Sequence, residues 1–117
     1  EGIIKNIRSS NSVNSYIGEL ELDLKSIKDL CFMLSDKIEK LFVIIVSKTD
    51  EKVFISCFIS KHLVEEKGLN ASNIVRELSQ MIDGNGGGQP FFATAGGKKI
   101  DGIKAVLNQS KKIINQI

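Results

Sequence analysis

The sequence predicts an α/β domain: a single mixed β-sheet of about five strands with a central antiparallel hairpin, packed with amphipathic helices. Three observations carry this expectation. Two β-branched and aromatic runs, Leu41-Phe42-Val43-Ile44-Ile45-Val46-Ser47 and Val53-Phe54-Ile55-Ser56-Cys57-Phe58-Ile59, stand on either side of the polar turn Thr49-Asp50-Glu51-Lys52. Other segments repeat apolar residues at helical spacing. Between two of these lies the stretch Gly84 to Lys99, which holds six of the ten glycines and the only proline.

In chain order, Ile3-Ile4-Lys5-Asn6-Ile7-Arg8 reads as a strand, Ser9 to Ser15 as a polar link, and Tyr16-Ile17-Gly18-Glu19-Leu20 as a second strand or extended segment. From Leu24 to Lys40, the residues Ile27, Leu30, Cys31, Leu34, Ile38 and Leu41 form a helical stripe, with Asp23 or Ser26 available as N-cap. Its outward charges, from Lys25 to Lys40, are mixed in sign and read as a solvated face. The run Leu41–Ser47 has no polar interruption, which suits a central strand covered on both faces, and Val53–Ile59 pairs with it as a hairpin.

Ser60 to Gly68 is a short helical connection with glycine as its C-cap. Asn70 or Ser72 caps the next helix, which turns Ile74, Val75, Leu78, Met81 and Ile82 inward. After the glycine stretch, Phe91-Phe92-Ala93-Thr94-Ala95 is strand-like. Ile103, Val106, Leu107, Ile114 and Ile117 then place the end of the chain on an amphipathic helix.

The 117 residues suffice for one domain with one core, taken as residues 1–117. A formal charge of +2 does not by itself call for a nucleic-acid partner. The longest apolar run is too short for a membrane span, and the first residues lack the pattern of a secretory signal, so the triplets at Asn70 and Asn108 that fit a glycosylation sequon carry no weight. Cys31 and Cys57 lie in apolar runs and read as core residues, in keeping with a reducing cytoplasm. The chain begins without methionine and enters strand-like sequence almost at once, which reads as a piece cut from a longer protein.

Several chemistries are excluded. One histidine, His62, and two separated cysteines in apolar runs cannot supply a zinc site. No Gly-x-Ser-x-Gly elbow accompanies His62, which reads as a surface residue, and the carboxylates of Asp50, Glu51, Glu65 and Glu66 lie in charge-rich turns. The sequence Gly84-Asn85-Gly86-Gly87-Gly88-Gln89 has the first two glycines of a dinucleotide fingerprint, but Gln89 takes the third place and a helix precedes it where a strand is required. Gly97-Lys98-Lys99 lacks the spacing and hydroxyl of a P-loop. What remains is a run of backbone N–H groups beside lysines, which suits phosphate oxygens, set against a tight crossing that simply requires glycine.

The segment Ile74 to Asn108 resembles the C-terminal domain of alanyl-tRNA synthetase, the DHH-associated type 1 or C-Ala domain. That family's pattern is a glycine run, Arg-Pro, two variable residues and Ala-x-Ala-Gly-Gly. Gly86, Gly87, Gly88, Pro90, Ala93, Ala95, Gly96 and Gly97 match it; Gln89 replaces the arginine, and Phe91 and Phe92 fill the variable pair. The resemblance implies a module that is not catalytic, binds the outer corner of tRNA, and supports aminoacylation and editing by other domains of an alanine-tRNA ligase. ATP, magnesium and zinc would belong to those other domains, with no cofactor here. It also implies a monomeric fragment of a dimeric, cytoplasmic protein.

The contact surface expected on this basis comprises Gly86, Gly87, Gly88, Gln89, Pro90, Gly96, Gly97, Lys98, Lys99 and Lys104, with Arg76 beside them. Two alternatives from other classes stand beside it: the substrate-binding cap of a DHH-family phosphoesterase acting on short nucleotides, in which histidine usually occupies the place of Gln89, and a structural oligomerisation module.

Overall fold

In the computed structural model, residues 6–10 and 12–117 are described. Their elements are β1 (Arg8–Ser10), β2 (Val13–Glu19), α1 (Leu24–Lys37), β3 (Leu41–Lys48), β4 (Val53–Ile59), α2 (Lys61–Lys67), α3 (Ala71–Ser79), β5 (Asn85–Gly88), β6 (Phe92–Gly97) and α4 (Ile103–Asn115), with 3-10 turns at Gln80–Ile82 and Ile100–Gly102. The six strands form one sheet in the order β1-β2-β3-β4-β6-β5. Only β2 and β3 run parallel, because α1 carries the chain back between them; the other neighbours are antiparallel. The mixed sheet with its central hairpin is therefore as expected, with one strand more.

Local rules account for most boundaries. The Asp23 carboxylate accepts from the Ser26 N–H at 2.7 Å and starts α1. The helix stops earlier than its periodicity suggests, because Ile38 is already extended (φ −128°, ψ 121°) and turns the chain toward β3. Gly68, at φ 65°, closes α2, and the Asn70 side chain accepts from Asn73 N–H to cap α3.

Two readings need correction at the start of the chain. The expected strand at Ile3–Arg8 lies partly outside the described residues, and the strand found is Arg8–Ser10. The supposed polar link joins β1 to β2 as a hairpin: Ser9 pairs with Asn14 in the sheet, its hydroxyl donates to the Asn14 side chain, and Asn14 Nδ2 reaches Glu39 O at 2.8 Å. Polar residues can occupy a sheet edge when their side chains find partners of this kind.

The sheet divides the core in two. On one face, Phe42, Ile44 and Val46 of β3 and Val53, Ile55, Cys57 and Ile59 of β4 pack against Val75 and Leu78 of α3, Ile82 of the 3-10 turn after it, and Val106 of α4. On the other, Leu41, Val43 and Ile45 pack with Phe58 against Ile27, Cys31 and Leu34 of α1. The uninterrupted apolar β3 is thus buried on both faces, as its composition requires.

Candidate functional site

The glycine stretch, read from sequence as a loop, is an edge strand. Asn85–Gly88 pairs antiparallel with β6, Gly86 opposite Ala95 and Gly87 opposite Thr94. Much of its glycine content is steric: a Cβ on Gly86 would run into the Thr94 carbonyl and the Ala95 Cα, and one on Gly97 into the Ile82 carbonyl. Gly87 differs, since a Cβ there would meet only the Arg76 guanidinium at 3.3 Å and the Ser72 hydroxyl at 3.4 Å. Part of the run is therefore imposed by close backbone packing, and part is surface.

Because α1 packs over β3 and the Phe58 end of β4, it leaves the Phe54 end of its face of the sheet without a helix. Val53 pairs with Gly97 and Phe54 with Gly96, which brings Lys52, Phe54, Gly96, Gly97 and Lys98 around one depression of about 550 Å³, with Asp83 on its rim. The Phe54 ring lies against the bare backbone of Gly96, where a Cβ would sit 3.4 Å from it. Two ammonium groups thus flank a half-buried ring on a floor free of side chains. That is a surface able to take a phosphate backbone and stack a base.

A second depression, of about 410 Å³, lies where β5 turns into β6 and is lined by Gly87, Gly88, Gln89, Phe92, Phe32 and Lys28. Lys28 Nζ stands 5.7 Å from the Phe92 ring centroid.

The expected site residues therefore do not converge on one point. Gly96, Gly97 and Lys98 border the first depression; Gly87, Gly88 and Gln89 border the second. Arg76 reaches Gly87 from α3, Pro90 is exposed at the turn and accepts from Ala71 N–H through its carbonyl, and Gly86 is committed to strand pairing. Lys99 and Lys104 are exposed but line neither depression.

Lys52, Phe54, Lys28 and Phe32 belong to these surfaces and were not expected there. The available signal was that Phe54 falls out of phase with Val53, Ile55 and Cys57, and Phe32 falls off the apolar stripe of α1.

Other chemistry has little support. Burial pushes the Cys31 thiol up to about 12 and raises Cys57 further, with Cys31 a second cause, so neither is a ready nucleophile. Among the described residues, no group of three or more His, Cys, Asp or Glu side chains is placed to hold a metal ion. No helix among them is long and apolar enough to cross a membrane.

With a six-stranded mixed sheet and a glycine edge strand beside Ala-Thr-Ala-Gly-Gly, the chain belongs to the DHHA1 domain family, whose model matches residues 10–116. Within that family it is similar to alanyl-tRNA synthetases, as the motif implied. The alanine–tRNA ligase of Christiangramia forsetii is 47% identical over 108 residues, which are 92% of this chain and 12% of that protein. That of Flavobacterium psychrophilum is 37% identical over 96% of this chain and 13% of that protein. The chain thus spans about an eighth of the length of these curated relatives.

The crystal structure of the C-Ala domain from Aquifex aeolicus alanyl-tRNA synthetase superposes with a TM-score of 0.79 at 25% identity, covering 92% of this chain and 96% of that one. A DHH-domain member of the s1p family of ribosomal proteins shares the fold at TM-score 0.56 and 11% identity, over 92% of this chain and 28% of that one.

Proposed function

We propose that this domain is the C-terminal tRNA-binding module of a cytoplasmic alanyl-tRNA synthetase, holding the outer corner of tRNA while other domains of the same protein carry out aminoacylation and editing. The chemistry of ATP, magnesium and zinc falls to those other domains. The observation that carries the proposal is the helix-free end of the sheet, where Lys52 and Lys98 flank Phe54 over the bare backbone of Gly96 and Gly97. A surface of this kind reads shape and phosphate more than base sequence. The phosphoesterase reading keeps only a likeness of fold, and Gln89 offers no imidazole at the place where that family usually has one.

A fluorescence anisotropy titration with an alanine-accepting tRNA transcript tests this. Replacing Lys98 and Lys52 with alanine should weaken binding and lower the slope of log affinity against log salt by about 0.7–0.9 for each lost phosphate contact. Unchanged affinity and slope would return the glycine stretch to a purely structural role.

A further inference from the structure

A further depression lies at the opposite end of β4 from Phe54, next to the second depression, with which it shares Phe32 and Phe91. It has a volume of about 670 Å³ between the C-terminal half of α1 and the β4–α2 junction, within the range of about 300–1,000 Å³ usual for small-molecule sites. Its walls are aromatic, from Phe32, Phe58 and Phe91, and its rim carries Lys40, Lys61 and His62. Three of the six phenylalanines are partly open to solvent at this end of the sheet: Phe32 is 38% exposed, and Phe91 and Phe92 are partly covered. Folding normally hides such rings, so their grouping marks a contact surface.

We propose that this groove seats one unstacked base of a bound RNA against Phe32 and Phe91, with the adjoining phosphate toward Lys61 and Lys40. Three observations favour a nucleotide over an apolar protein segment. The rim is cationic: Lys61 forms no ion pair among the described residues, Lys40 has only a loose 3.8 Å contact with exposed Glu66, and one acid, Glu39, stands against them. The rings offer a stacking surface, since Phe32 is fixed edge-on to Phe58 with centroids 5.3 Å apart. Ser60 Oγ accepts from Leu41 N–H at 2.8 Å, which leaves its own proton free to donate to a base edge.

Phe32 and Phe91 also line the second depression beside Gly87 and Gly88, so the groove continues the surface already described. In the tRNA setting the proposal rests on the function given above, and it extends that contact by a base pocket.

The sequence contains no tryptophan, so Phe91→Trp places a single reporter in the groove. Its fluorescence should be quenched by the tRNA transcript and by a single-stranded hexanucleotide. No quenching by either would overturn the proposal. Phe32→Ala should weaken tRNA binding about five-fold or more, the usual effect of losing one stacked base, with an unchanged salt slope. Phe32→Leu, which keeps the apolar volume and the fold, should lose most of the same affinity. Wild-type binding by Phe32→Leu would mean that the ring does not stack on a base.

The two readings fail separately. If the Lys98 and Lys52 substitutions leave tRNA affinity unchanged, tRNA recognition by the glycine end falls, while quenching by the hexanucleotide still decides the groove.

Discussion

The two faces of the sheet are built to different standards. The face under α3 and α4 is closed: β3, β4 and β6 all present buried apolar residues to it, from Phe42 to Ala93 and Ala95 beside the glycine strand. The face under α1 is closed over β3 and up to Phe58, and beyond that it opens onto Phe54, Thr94 and Gly96, all partly exposed. A helix over this end would have made the domain a conventional three-layer α/β sandwich. Its absence leaves rings and bare backbone at the surface beside Lys52 and Lys98, so one face is core and the other is open to a partner.

Neighbouring residues of β4 test this division most directly. Ile55, fully buried on the closed face, should cost about 2–5 kcal/mol of stability when cut to alanine, read by urea denaturation. Phe54, one position earlier and on the open face, should cost well under half of that despite its larger ring, yet weaken tRNA binding. Equal stability costs for Phe54→Ala and Ile55→Ala would mean that the open face is as much a core as the closed one.

A finer contrast lies within the glycine run. Gly86→Ala sets a methyl group against the Thr94 carbonyl and must push β5 off the sheet, an overpacking penalty of about 1–3 kcal/mol. Gly87→Ala meets only the tips of Arg76 and Ser72, and should change stability by less than about 0.5 kcal/mol. Thermal melts of the two variants separate backbone packing from surface; if both fell equally, the whole run would be structural.

How far these features could be read beforehand follows from what is local. The hairpin of β3 and β4, the Asp23 and Asn70 caps and the Gly68 stop depend on neighbours in sequence, and they stand as expected. Asn85-Gly86-Gly87-Gly88 has almost no β propensity; it becomes a strand because β6 approaches so closely that no side chain fits at Gly86 or Gly88. Lys98 could be anticipated from its place after the glycines. Lys52 and Phe54 could not, since the pairing of Val53 with Gly97 brings together residues more than forty positions apart. Phe32 looked like part of a helix surface until β4 and β6 placed Phe58 and Phe92 beneath it.

The smallest expected effect is also the most selective between the faces. Helix α1, the cover of the open face, is capped by a carboxylate, whereas α3 on the closed face is capped by the uncharged Asn70 amide. Hydrogen bonding from Ser26, by its side chain first and its backbone N–H second, holds the Asp23 carboxyl below its ordinary value of 3.8. A carboxyl lowered by folding contributes stability above that ordinary value and loses it as pH falls through the lowered folded value. Acidification should therefore fray the first turn of α1 while α3 keeps its protection, as followed by amide exchange at Ser26 and Ile27 against Asn73 and Ile74. Asp23→Asn, which keeps a cap but has no proton to gain, should remove the difference. Equal loss of protection in both helices would show that acid acts on the whole fold and not on the cover of the open face.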